Sequence, residues 1–89
     1  MTPEEHIELL KTEGFNKVYV WDATPGEEDE MHAHEWDTRL VILDGDIEIT
    51  LDGATKLYKE KEEVDIPHNA AHSAKVGMRG CTYIVAERH

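Results

Sequence analysis

The chain has a single cysteine, Cys81. No intrachain disulfide can form, so nothing in the sequence asks for an oxidising compartment. Basic residues are scarce. Nine Lys and Arg stand against 20 Asp and Glu, a formal net charge of -11. With no cluster of Lys or Arg, that balance repels phosphate backbones and anionic membrane surfaces and argues against nucleic-acid binding. Long apolar runs are missing too. No stretch approaches the roughly 20 residues that span a bilayer. The N-terminus lacks the basic segment and apolar run of a secretory signal. The default expectation is a cytoplasmic protein without membrane contact, its acidity serving mainly solubility.

What is present fits one small domain over residues 1–89. The hydrophobic fraction is 39% and the charged fraction 33%, so much of the surface is exposed. A core of this size is modest, and a bound metal or a dimer interface would add to it. A homodimer is the expectation, with Val18 to Trp21 and the preceding helix as its contact.

Residues 1–14 predict one short helix. Thr2 is its N-cap, Pro3 its first helical residue, Glu5 the capping-box partner and Gly14 its stop. From residue 16 to 87 the text is β. Lys17 to Trp21 is rich in β-branched and aromatic residues. Asp22 to Glu30 reads as a polar loop, and Met31 to Ile42 as one long strand or two with a bend. Asp44-Gly45 and Asp52-Gly53 read as tight turns on either side of Asp46 to Leu51. Thr55 to Tyr58, Val64 to Ile66, Ala71 to Val76 and Cys81 to Glu87 are further strands, the last two separated by a turn over Gly77 to Gly80. Many short strands with such turns predict an all-β sandwich or barrel.

The chemistry lies in the histidines. His32 and His34, one residue apart, point to the same side of an extended segment. His72 follows in Pro67-His68-Asn69-Ala70-Ala71-His72. Imidazole is a ligand for transition metals. Three protein ligands leave open positions, the arrangement of a catalytic site.

These residues resemble the two motifs of the cupin superfamily. Gly26, His32, His34 and Gly45 fall on the glycine and histidine positions of the first motif. Pro67 and His72 fall on those of the second, and Asn69 replaces its glycine, which is tolerable because Asn also visits left-handed backbone. Lys61 takes another glycine position and Val76 the terminal asparagine position. The resemblance covers roughly Val18 to Val85. It implies a cupin-type jelly-roll β-barrel (a double-stranded β-helix) with one short N-terminal helix.

It also implies a divalent transition metal (Fe, Zn, Mn, Ni or Cu) held by His32, His34 and His72. One departure matters: Thr38 stands where the family has a metal-binding glutamate. Strand parity places Thr38 inside but Glu35 and Asp37 outside, so the site reads as three imidazoles and water, or as a barrel without metal. Trp36 and Thr38 are candidate walls of a substrate pocket, and Tyr83 a candidate acid or hydrogen-bond donor. His68 and Arg39 read as polar surface and Cys81 as a small buried residue. Two functions stay open. One is a metal-dependent enzyme of dioxygenase, isomerase or lyase type acting on a small molecule. The other is a small-ligand-binding or sensing module without turnover. A purely structural domain ranks last.

Overall fold

The computed structural model describes all 89 residues. Helix α1 spans Pro3–Thr12. Thr2 Oγ1 accepts from the Glu5 amide, and the Glu5 carboxylate accepts from the Thr2 amide, so two otherwise orphaned donors are satisfied at the helix start. Six strands follow: β1 Lys17–Ala23, β2 Glu28–His32, β3 Asp37–Leu51, β4 Ala54–Lys59, β5 Glu63–Ile66 and β6 His72–Arg88.

Two of these strands are long, and they organise everything else. The second half of β6 pairs β1 on one side and the first half of β3 on the other, and β5 adds beyond β3. The first half of β6 pairs β2 and the second half of β3, and β4 adds beyond β3. The result is two four-stranded antiparallel layers that share β3 and β6. This is the expected jelly roll with one short helix.

The junction between the layers differs from the sequence expectation. Asp44-Gly45 and Gly77 to Gly80 are not turns that separate strands. They are bends inside β3 and β6, marked by register shifts between Ile42 and Asp44 and between Gly45 and Ile47. Gly45 pairs with Cys81 and has φ 80°. A Cβ on Gly45 would collide with the carbonyl oxygen of Gly80. The same local signal that closes a hairpin here kinks a strand, because a partner strand continues alongside it. Asp52-Gly53 is the hairpin expected: Leu51 pairs with Ala54, and both central residues have positive φ. Glu28 to Glu30, predicted as loop, belong to strand β2 because β6 supplies its ladder.

Alternation along the strands sorts side chains into two cores. Leu40, Ile42, Ile47, Ile49, Val64, Ile66, Val76, Tyr83 and Val85 fill the space between the layers. Leu10, Phe15, Val41, Ile84 and Ala86 form a second cluster where α1 covers the outside of the first layer. Arg39 fastens that cover. It donates to Glu13 at 2.8 Å and Asp65 at 2.7 Å and lies over the Phe15 ring, so it is a tie rather than plain surface.

Candidate metal centre

The three histidines of the two motifs meet at one end of the barrel. His32 ends β2, and its register partner is His72, which begins β6. His34 lies in the bend between β2 and β3. Their ligating nitrogens all lie within 4.8 Å of one another. Ring centroids are 4.3 Å apart for His32 and His72, 4.7 Å for His32 and His34, and 5.2 Å for His34 and His72.

The local backbone explains this convergence. The Asn69 amide donates to the His34 carbonyl at 2.6 Å. The His68 amide and Nδ1 both donate to Asp37 Oδ1 at 2.9 Å. The turn before β6 is thus strapped to the bend that carries His34, and His68 serves the strap. Asn69 sits at φ 62° and Lys61 at φ 74°, so both occupy left-handed backbone at positions where the family motif has glycine.

The ring nitrogens are sorted as well. His32 Nδ1 donates to the Glu30 carbonyl, and His72 Nδ1 donates to the Ala70 carbonyl at 2.9 Å. A carbonyl can only accept, so each ring carries its proton on Nδ1 and keeps a bare lone pair on Nε2. The His34 imidazole is held below its usual pKa, first by burial and then by the charges its neighbours His32 and His72 would carry, with Glu87 opposing. The uncharged ring is the form that ligates metal.

These rings open on a cavity of about 180 Å³ between the layers. Leu40, Ile47, Ile49, Ile66 and Val85 make its apolar wall; Thr38, Tyr83, Tyr19, Asp29 and Glu87 add polar atoms. Thr38 is buried in that wall, and its Oγ1 has no hydrogen-bond partner. An orphaned buried hydroxyl costs free energy unless something bound in the cavity meets it. Two imidazoles with fixed lone pairs, a third held neutral and an unsatisfied hydroxyl make a donor set that suits a divalent transition metal and its ligand.

Tyr83 lines the cavity, and burial above all, then Asp29 and Glu27, pushes its hydroxyl well above the usual range. It stays protonated and can donate. Trp36 departs from the pocket-wall expectation. Residues 33–36 lie outside the strands, with a bend at 35–36, so strand parity does not carry through them. Trp36 stacks flat on His34, centroids 4.7 Å apart and planes at 16°, and does not line the cavity. Cys81 is buried, and its thiol is pushed up to about 11 by burial and then by Asp46 and Asp44. It is inert packing.

Sequence reading missed Glu87, a buried carboxylate in the cavity wall. The signal was parity: 83, 85 and 87 share one face of β6. His89, outside both motifs, reaches it as well. Its Nε2 donates to Glu87 at 2.7 Å, and its ring packs at a 36° tilt against Trp36, centroids 4.5 Å apart.

No family model and no curated protein matches the chain. Solved structures do. KdgF from a Halomonas species superposes with a TM-score of 0.74 at 20% identity, over 79% of this chain and 64% of its own. A cupin-like protein from Thermotoga maritima gives 0.75 at 22%, over 88% and 61%. The DMSP lyase DddQ from Ruegeria pomeroyi gives 0.74 at 22%, over 81% and 37%. The chain thus spans about three fifths of the length of the first two and just over a third of the lyase. Identities this low speak to architecture alone. The two bent strands, the layers they share and the histidines at one end give this chain the cupin fold.

Proposed function

We propose that His32, His34 and His72 bind one divalent transition metal, and that the protein uses the open positions of that ion to bind and transform a small molecule. The observation that carries this reading is the convergence of three imidazole nitrogens, two with their Nδ1 protons already committed to backbone carbonyls. Three closely spaced imidazoles have little packing value of their own.

When bound, the metal supplies Lewis-acid or dioxygen chemistry at its open positions. The chain's own residues do the rest. The apolar wall keeps water from the reacting group. Tyr83 holds its proton and donates a hydrogen bond to an oxygen of the bound molecule. The Thr38 hydroxyl, unpartnered, meets a second polar atom. A cavity of about 180 Å³ selects a molecule smaller than the drug-sized ligands that fill pockets of roughly 300–1,000 Å³. That a DMSP lyase shares the fold supports turnover as a use of this architecture.

Binding without turnover is the competing reading. It rests on Tyr83, which keeps its proton and offers a hydrogen bond but, not being ionised, no base to abstract one. Elemental analysis of untagged protein, followed by titration of the apo form with Zn²⁺, Mn²⁺ and Fe²⁺, tests the metal. One ion per chain is expected, and a protein that holds none and takes up none ends the proposal. Oxygen consumption and product analysis against thiols, diketones and sugar acids then separate turnover from binding.

A further inference from the structure

The molecule has three buried polar or charged side chains, Thr38, His72 and Glu87, and all three line the same cavity. Thr38 and Glu87 are also direct partners in the β3–β6 ladder. Paired residues of an antiparallel ladder project to the same face with Cβ atoms about 5 Å apart. A carboxylate therefore stands one strand away from the position where the first motif has lost one.

Glu87 is not there to pack. A carboxylate in an apolar wall is costly unless its charge and lone pairs are met. Oε2 accepts from the Tyr19 hydroxyl at a long 3.3 Å and Oε1 from His89 Nε2 at 2.7 Å; Lys17 Nζ lies 3.9 Å away. An ionised carboxylate offers about four acceptor sites, so two stay open on a side chain that lines the same cavity as the three histidines but stands outside their close group. Three neutral imidazoles leave the full charge of a divalent ion uncompensated in the same wall. Each excess answers the other.

We infer that Glu87 is the carboxylate of the metal centre, moved from β3 to the neighbouring position on β6, where it balances the charge of the ion held by His32, His34 and His72. The inference rests on the three-histidine reading above. Tyr19 and His89 are positioning residues that hold the carboxylate through its Oε2 and Oε1.

The test is Co²⁺ and Mn²⁺ affinity of the full chain, measured by calorimetry, with the visible spectrum of the Co²⁺ form as a second readout. Glu87→Gln keeps the shape and removes the charge. It is expected to weaken both ions at least tenfold and to shift the Co²⁺ bands. Adding Thr38→Glu to Glu87→Gln returns a carboxylate across the ladder and is expected to recover affinity to within threefold of the parent. Unchanged affinity in Glu87→Gln, or a double variant no better than the single, overturns the inference.

If Glu87→Gln does not fold, the unmutated protein decides. The side-chain carboxyl carbon resonance of Glu87 should move on addition of Zn²⁺ and stop moving at one equivalent, while that of exposed Glu48 stays; no movement at Glu87 overturns the inference. A parent chain that binds no metal defeats the three-histidine reading instead, so the two failures are told apart.

Discussion

His32 and His72 face one another across the β2–β6 ladder, ring centroids 4.3 Å apart, each with its Nδ1 proton tied to the carbonyl two residues before it. The backbone thus dictates the tautomer of both rings. Replacing either by Ala is expected to remove stoichiometric metal, with affinity down at least a hundredfold. His68→Ala, which removes a ring bonded to Asp37 instead, is expected to keep it to within threefold. Calorimetric titration with Zn²⁺ on the three variants checks this. Equal losses in all three would show that the ions bind to the surface.

Acid should loosen the apo protein. The folded His34 imidazole titrates below its ordinary value, so the unfolded chain takes up its proton first as pH falls. Proton uptake by the unfolded state means that stability falls with pH below about 6.5 and is retained above it. The urea midpoint of the apo form is expected to drop between pH 7.5 and 5.5, and to drop less in His34→Gln. The bound metal should steepen the parent's loss, because protons and the ion compete for the same nitrogens. A midpoint that rises on acidification would contradict the sign.

The bend at Gly45 tolerates no side chain. Its φ is 80°, and a Cβ would run into the Gly80 carbonyl. Left-handed backbone alone costs a non-glycine residue about 1–2 kcal/mol, and the collision adds to it. Gly45→Ala is expected to lose about 3 kcal/mol or more in chemical denaturation. Gly53→Ala, at φ 82° with open space around it, should lose only the backbone part. Equal losses would mean that the glycine pair does not set the bend.

Strand β1 has β6 on one side and nothing on the other, and it exposes Val20 and Trp21 at 46% each. An open edge with apolar side chains is a pairing site. We expect a homodimer through β1. Sedimentation should give twice the 10.2 kDa of one chain, and Val20→Lys should halve it. A parent chain that sediments as a monomer at 100 µM rules out this contact.

Much of the fold was legible because its signals are local. Thr2, Pro3 and Glu5 announce the helix start, and Asp52-Gly53 closes the hairpin that its residues name. The spacing of His32, His34, Pro67 and His72 is itself enough to point to the candidate site. What stayed hidden depends on partners distant in sequence. Asp44-Gly45 carries the same signal as Asp52-Gly53, and only the strand running beside it turns a hairpin into a kink. Trp36 leaves the cavity wall because strand parity does not hold through a connection strapped by tertiary hydrogen bonds. Glu87 lies 53 positions from His34 and beyond the second motif, and nothing local distinguishes it from the other acidic residues. Its ladder partner does.

Because β3 and β6 each run unbroken through both layers, neither layer owns a complete set of strands. Removing one half of the barrel would strip the other of its two central members, so no stable fragment exists for a partly unfolded intermediate to occupy. Unfolding should be all-or-none, and amides from both halves of β3 and β6 should show one common opening free energy in hydrogen exchange, equal to the global one. The histidine end is part of that same cooperative unit, so anything that binds there tightens the far end of the barrel by the same amount.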